Sequence, residues 1–181
     1  DLNLAMPRKL LLEADELSYN EYIRLQHVFR AEATGNASAL IRHIRMIKTP
    51  WEIEQMRISA RKHEAVYREI PACYRPGMRD IELQIEIEKR MRVHGSLGYF
   101  RAFGSNMDIF MGSLLAGENA GEPSPFDFAL GGAGMHASGP LGANGTLLRE
   151  GTTVMADMSG NYTAYQTDMT RVFSIGKLPD R

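Results

Sequence analysis

VMADMSGNYTAYQTDMTRVFSIG, residues Val154 to Gly176, carries two aspartates, Asp157 and Asp168, in what reads as two short strands and a turn. Val154–Asp157 has the look of a buried strand. Thr167–Ile175 places Met169, Val172, Phe173 and Ile175 in a second one. Side chains alternate faces along a strand, so pairing decides which of them meet. A turn centred on Tyr162–Thr163 sets Asp157 directly opposite Asp168, on one face. Two carboxylates at cross-strand distance, about 5 Å, repel and push one of the pair towards its protonated form. A divalent cation between them removes that conflict, and carboxylates suit hard or borderline metals. On spacing alone two other readings stay open. The aspartates are merely solvated on a surface hairpin, or a turn at Ser159-Gly160-Asn161 carries Asp168 away from Asp157.

Asp157, followed by Asp168 inside Tyr165-Gln166-Thr167-Asp168-Met169-Thr170-Arg171-Val172-Phe173-Ser174-Ile175-Gly176, resembles the signature of the pita-bread metallopeptidases. That family includes Xaa-Pro aminopeptidase, Xaa-Pro dipeptidase (prolidase), methionine aminopeptidase and creatinase. The Tyr-x-x-Asp-x-Thr-Arg run carries the resemblance. Ala164 departs from it, since a glycine usually precedes that tyrosine. Arg45-Met46-Ile47-Lys48, followed by Glu52-Ile53-Glu54-Gln55-Met56-Arg57, resembles the entry into the catalytic domain of Xaa-Pro peptidases.

The resemblance implies an α+β fold: the first half of a pita-bread domain over residues 45–181, preceded over residues 1–44 by the end of a creatinase-type N-terminal domain and a linker helix. It implies two divalent metal ions, manganese first, with cobalt, zinc or iron as alternatives. Asp157 binds one ion and Asp168 bridges both. His136 is the candidate catalytic histidine, facing the substrate and donating to the developing oxyanion; a loop histidine with no catalytic task is the competing account. Tyr165 and Arg171 hold the ligand strand. The implied reaction is metal-assisted hydrolysis of an Xaa-Pro bond in a peptide with proline second, by a homodimer of the full-length protein. The family's remaining ligands, a histidine and two glutamates, lie further along than Arg181, where this sequence stops. The chain therefore reads as part of a peptidase, inactive by itself. Two alternatives differ in kind: a pita-bread-like module that binds peptide or protein without catalysis, and a creatinase-like carbon–nitrogen hydrolase.

Composition is ordinary for a soluble globular protein and excludes several other classes. The 181 residues suffice for one domain and part of another. They are 44% hydrophobic and 24% charged, with net charge −1, which favours neither nucleic acid nor an anionic membrane as partner. Cys73 is the single cysteine, so no internal disulfide framework exists, and a cytoplasmic, reducing compartment is expected. No apolar run approaches the roughly 20 residues of a membrane span.

Several segments imitate chemistry without supplying it. His63-Glu64 begins a zinc-protease pattern, but Tyr67 stands where the second histidine belongs, so His63 reads as a core histidine. Gly131-Gly132-Ala133-Gly134 has the wrong spacing for a phosphate loop. Ser18 and Glu21 predict a helix to about Phe29, and Ala39–Met46 a basic amphipathic one. Thr49-Pro50-Trp51-Glu52 starts a helix to about Ile70, broken at Pro71, with Ile53, Met56, Ala60, His63, Val66 and Tyr67 on its buried face. A further helix covers about Arg79 to His94, with Leu83, Ile87 and Met91 in a row and Gly95 to end it. Gly98–Phe103 reads as a strand, and Met107–Leu115 as buried helix or strand. The Gly- and Pro-rich stretch from Gly112 to Gly145 reads as a long loop lining a substrate cleft.

Overall fold

Ser18 caps the first helix with its own hydroxyl, which accepts the Glu21 N–H at 3.3 Å. The structure is a computed structural model and describes residues 6–101, 108–109, 111–123 and 131–178. The chain forms two compact units, Asp1–Pro50 and Trp51–Arg181.

In the first unit, β1 (Lys9–Leu12), α1 (Tyr19–Phe29) and β2 (Ala33–Asn36) make a strand–helix–strand unit whose two strands pair in parallel. A crossover helix is what parallel pairing requires. α2 (Ser38–Met46) follows, with Leu40 and Ile44 exposed and Arg42 paired with Asp15.

The second unit opens with α3 (Pro50–Cys73) and α4 (Asp80–Val93). Two expectations for α3 need correction. It does not break at Pro71 but runs on to Cys73. A proline inside a helix forfeits one backbone hydrogen bond. Here Ile70 and Cys73, 3% and 2% exposed, keep the last turn in the core. Its buried face is also rotated from the expected one: Ser59, His63, Val66, Tyr67, Ile70 and Cys73 are buried, whereas Ile53 and Met56 are exposed. α4 matches its expected row, with Leu83, Ile87 and Met91 buried, and Gly95 follows with φ 96°.

β3 (Phe100–Arg101) and β4 (Asp108–Ile109) form a short antiparallel pair; Ala102, Phe103 and Met107, where the sequence reading extended these strands, lie outside the described residues. β5 (Gly112–Ala116), β6 (Thr153–Gly160) and β7 (Thr167–Ser174) form an antiparallel sheet in that order. The expected long loop therefore begins later than Gly112. Among the described residues, 112–116 form one of the sheet's two edge strands, and Gly117–Gly121 is a short 3-10 turn.

One face of this sheet belongs to the core. Leu114, Val154, Ala156 and Met158 pack there with Val66 and Ile70 of α3 and Leu83, Ile87 and Met91 of α4. Burying each such large aliphatic side chain stabilises the unit by about 1.5–3 kcal/mol. Asp80, fully buried, tethers the approach to β6. Its carboxylate accepts the N–H groups of Ile81, Gly145 and Asn144 at 2.7, 2.9 and 3.0 Å. Three N–H donors satisfy a charge that would otherwise be costly to bury.

Candidate metal centre

The face of the sheet opposite this core carries both aspartates. Alternation puts Val154, Ala156 and Met158 on the core side of β6 and Asp157 on the other. Asp157 pairs with Thr170 of β7 and with Ser113 of β5; Asp168 pairs with Ser159. The two carboxylates thus share a face, but they are not directly opposite. The expected turn centre at Tyr162–Thr163 is overturned: the pairing closes with Gly160 against Thr167, and the aspartates are diagonal neighbours. Diagonal positions lie about 7–8 Å apart, a span flexible carboxylates can close on a shared ion.

Electrostatics at the pair follow from this arrangement. Asp168 is exposed as a residue; partial desolvation of its carboxyl, and next the Asp157 carboxylate, push it above its ordinary range, while the Met169 N–H pulls the other way. Asp157 has a fixed partner, since Thr170 Oγ1 donates to its Oδ1 at 2.5 Å. Ser113, directly across from Asp157 on β5, has a fully buried hydroxyl with no hydrogen-bond partner among the described residues. Two mutually repelling carboxylates, beside an orphaned hydroxyl, form a hard-oxygen donor set that fits a divalent cation. Among the described residues no group of three or more His, Cys, Asp or Glu converges.

α3 grips the hairpin that holds the pair, through side chains spaced along one of its rows and the Gln55 backbone carbonyl. Tyr165 donates its hydroxyl to Glu52 Oε1 at 2.8 Å and meets the Trp51 ring edge-on, centroids 6.2 Å apart. Thr163 Oγ1 donates to Gln55 O at 3.4 Å. Ser59 Oγ donates to Tyr165 O at 3.0 Å and accepts the Tyr162 N–H at 3.4 Å. His63 Nδ1 lies 2.9 Å from Thr167 Oγ1, and burial holds its pKa down at about 4, so the ring is neutral. The Tyr67 hydroxyl touches Ala156 O, Met158 N and Met169 O. Burial pushes the Tyr67 phenol up, so it keeps its proton as a donor. Arg171 turns back on its own strand, donating to Thr170 O at 2.7 Å. The sequence reading missed Ser59 and Ser113 and took Tyr67 for packing alone. The signal for the first was present in the four-residue spacing Ser59, His63, Tyr67.

His136 is exposed in a turn of its own. Its Nδ1 accepts the Ser138 N–H at 3.1 Å and lies 2.8 Å from Ser138 Oγ. A ring nitrogen that accepts from a backbone N–H carries no proton, so the neutral ring holds its proton on Nε2. Neither hydrogen bond leaves the turn, which an isolated bridge from His136 to Gly139 closes.

Residues 54–181 match Metallopeptidase family M24, and the chain belongs to that family. The fold agrees: it is α+β and matches the N-terminal part of pita-bread peptidases. The X-Pro aminopeptidase of Thermotoga maritima superposes with TM-score 0.72 at 22% identity, over 96% of this chain and 42% of that one. The Xaa-Pro dipeptidase of Bacillus anthracis superposes with TM-score 0.70 at 24% identity, over 96% and 41%. In sequence the chain is 23% identical over 175 residues to the uncharacterized peptidase YqhT of Bacillus subtilis, covering 96% of this chain and 42% of that protein. It is 26% identical over 146 residues to the probable dipeptidase PepE of Mycobacterium tuberculosis, covering 80% and 32%. The chain thus spans less than half the length of these relatives. Among the described residues no helix is long and apolar enough to cross a membrane.

Proposed function

We propose that this chain contributes Asp157 and Asp168 to the metal site of a peptidase that hydrolyses Xaa-Pro bonds. The observation that carries the reading is the same-face carboxylate pair, with Thr170 fixing one member and the Asp168 carboxyl raised by partial desolvation and by its neighbour. Family membership supports divalent-metal dependence, and the names of the superposing proteins support proline-directed peptides as substrates. Manganese is our first choice of metal, two ions the expected number, and a homodimer of the full-length protein the expected assembly. Residues 1–44 read as the end of a creatinase-type N-terminal domain.

When bound, divalent ions supply Lewis acidity and lower the pKa of water far enough for attack near neutral pH. The chain's own residues position and polarise. Asp157 and Asp168 hold charge on the open face of the sheet, Thr170 orients Asp157, and Ser113 offers its hydroxyl beside it. His136 donates from Nε2–H to the oxyanion as the amide carbonyl is attacked. Two aspartates alone make a weak site, so the 181-residue chain by itself is expected to bind metal weakly and not to cleave peptide.

The test is release of the first residue from Xaa-Pro dipeptides and Xaa-Pro-Xaa tripeptides by the intact protein, with and without manganese. Metal-dependent release that Asp168→Asn abolishes supports the reading. Peptide binding without release, in the presence of metal, sinks it and favours the non-catalytic module.

A further inference from the structure

The rung that separates the two aspartates is Met158 paired with Met169, lying between Asp157–Thr170 and Ser159–Asp168. Interior ladder groups ordinarily satisfy each other. Here a side chain from another element joins them. Tyr67 of α3 reaches the rung from the core side, and its hydroxyl accepts the Met158 N–H at 3.2 Å while lying against Met169 O. The same oxygen is 3.1 Å from Ala156 O. Ala156 and Met158 bracket Asp157, and Met169 follows Asp168. One hydroxyl therefore touches backbone on both sides of one aspartate and immediately after the other. The tyrosine itself has little freedom to move. It is 6% exposed, and its ring packs edge-on against His63 with centroids 5.1 Å apart.

We propose that the Tyr67 hydroxyl is a positioning group, which fixes the spacing of β6 and β7 at the aspartate pair and thereby the separation of the two carboxylates. Among the described residues its hydrogen-bond partners are backbone atoms and neither carboxylate, so it acts through the backbone that carries the two aspartates. The inference rests on the reading of Asp157 and Asp168 as metal ligands. Packing alone does not call for the oxygen, since a phenylalanine would fill the same space.

The experiment compares the intact protein with Tyr67→Phe and with Tyr162→Phe, which removes a buried hydroxyl that has no partner among the described residues. Manganese affinity is measured by calorimetric titration, and exchange of the Met158 amide by mass spectrometry or NMR without metal. Tyr67→Phe is expected to weaken manganese binding at least tenfold and to speed Met158 exchange at least tenfold, with Tyr162→Phe within twofold of the parent on both. Parent-like manganese binding by Tyr67→Phe overturns the inference and leaves the metal reading standing. So does an equal loss in Tyr162→Phe, which would mark a packing effect. No manganese binding by the parent overturns the metal reading, and this inference with it. If Tyr67→Phe does not fold, 3-fluorotyrosine at position 67 keeps the ring with a poorer acceptor oxygen. Met158 exchange at least twofold faster then supports the tether, and unchanged exchange overturns it.

Discussion

Thr170 faces Asp157 directly across the β6–β7 ladder and donates its hydroxyl to Asp157 Oδ1 at 2.5 Å. The bond fixes the Asp157 rotamer, and among the described residues the second carboxylate oxygen has no hydrogen-bond donor. Thr170→Val keeps the shape and the strand preference but removes the donor. It is expected to weaken manganese binding about 10- to 100-fold, the usual cost of losing a partner of a ligand. Thr170→Ser should retain most of the affinity. Calorimetric titration of the three proteins decides the matter, and equal affinity for the valine variant counts against an orienting role.

Asp168 has the opposite problem, a carboxyl raised by partial desolvation and by Asp157. A raised carboxyl binds its proton more tightly in the folded state than in the unfolded one. Stability from this group therefore rises as pH falls through the folded value, and the charge at neutral pH is a cost. Asp168→Asn should melt higher than the parent at neutral pH without metal, and the difference should vanish at a pH where both carboxyls are protonated. Added manganese should raise the melting temperature of the parent only. A variant that melts lower at neutral pH would show that neither desolvation nor the Asp157 charge penalises the ionised Asp168 carboxyl.

Faces were legible in this sequence and register was not. Alternation in Val154–Asp157 and Thr167–Ile175 suffices to put both aspartates on one face, but the pairing depends on how residues 161–166 turn. That turn is held by residues about a hundred positions away: Ser59 takes the Tyr162 N–H and gives its proton to Tyr165 O, while Glu52 holds the Tyr165 hydroxyl. Local turn chemistry at Ser159-Gly160-Asn161 loses to these contacts. A Cβ at Gly160 would lie 2.4 Å from Thr167 Oγ1 and 2.9 Å from His63 Nδ1, so glycine there serves close packing inside the strand. The buried face of α3 was misjudged for a related reason. Its row is partly polar because it hydrogen-bonds a hairpin, and hydrophobic spacing alone favours Ile53 and Met56, which stay exposed.

His63 predicts an acid sensitivity independent of metal. Burial lowers its pKa from 6.5 to about 4. Between these values the unfolded chain binds a proton that the folded one refuses, so stability falls as pH falls, by at most about 1.4 kcal/mol per pH unit. Below the folded value the loss is complete. Urea unfolding of the parent and of His63→Gln across this range should give a steep dependence for the parent and a flatter one for the variant. Parallel slopes would assign the acid sensitivity to other groups.

Gly112 opens β5 against Met158, one rung from the Ser113–Asp157 pair. A Cβ there would stand 2.2 Å from Asp157 O and 2.6 Å from Met158 Cα. Both are backbone atoms of the central strand and cannot rotate aside, so Gly112→Ala must push β5 away from β6 at the aspartate. The expected cost is about 1–3 kcal/mol, typical of overpacking, together with weaker manganese binding, because the strand carrying Asp157 moves. Gly121→Ala is the control, since among the described residues nothing lies within 4 Å of its Cβ. Urea unfolding and metal titration of both variants separate the outcomes. A stable Gly112→Ala protein with weakened metal binding would localise the effect to the Asp157 backbone, and one that keeps both stability and affinity would show that β5 can move without disturbing the pair.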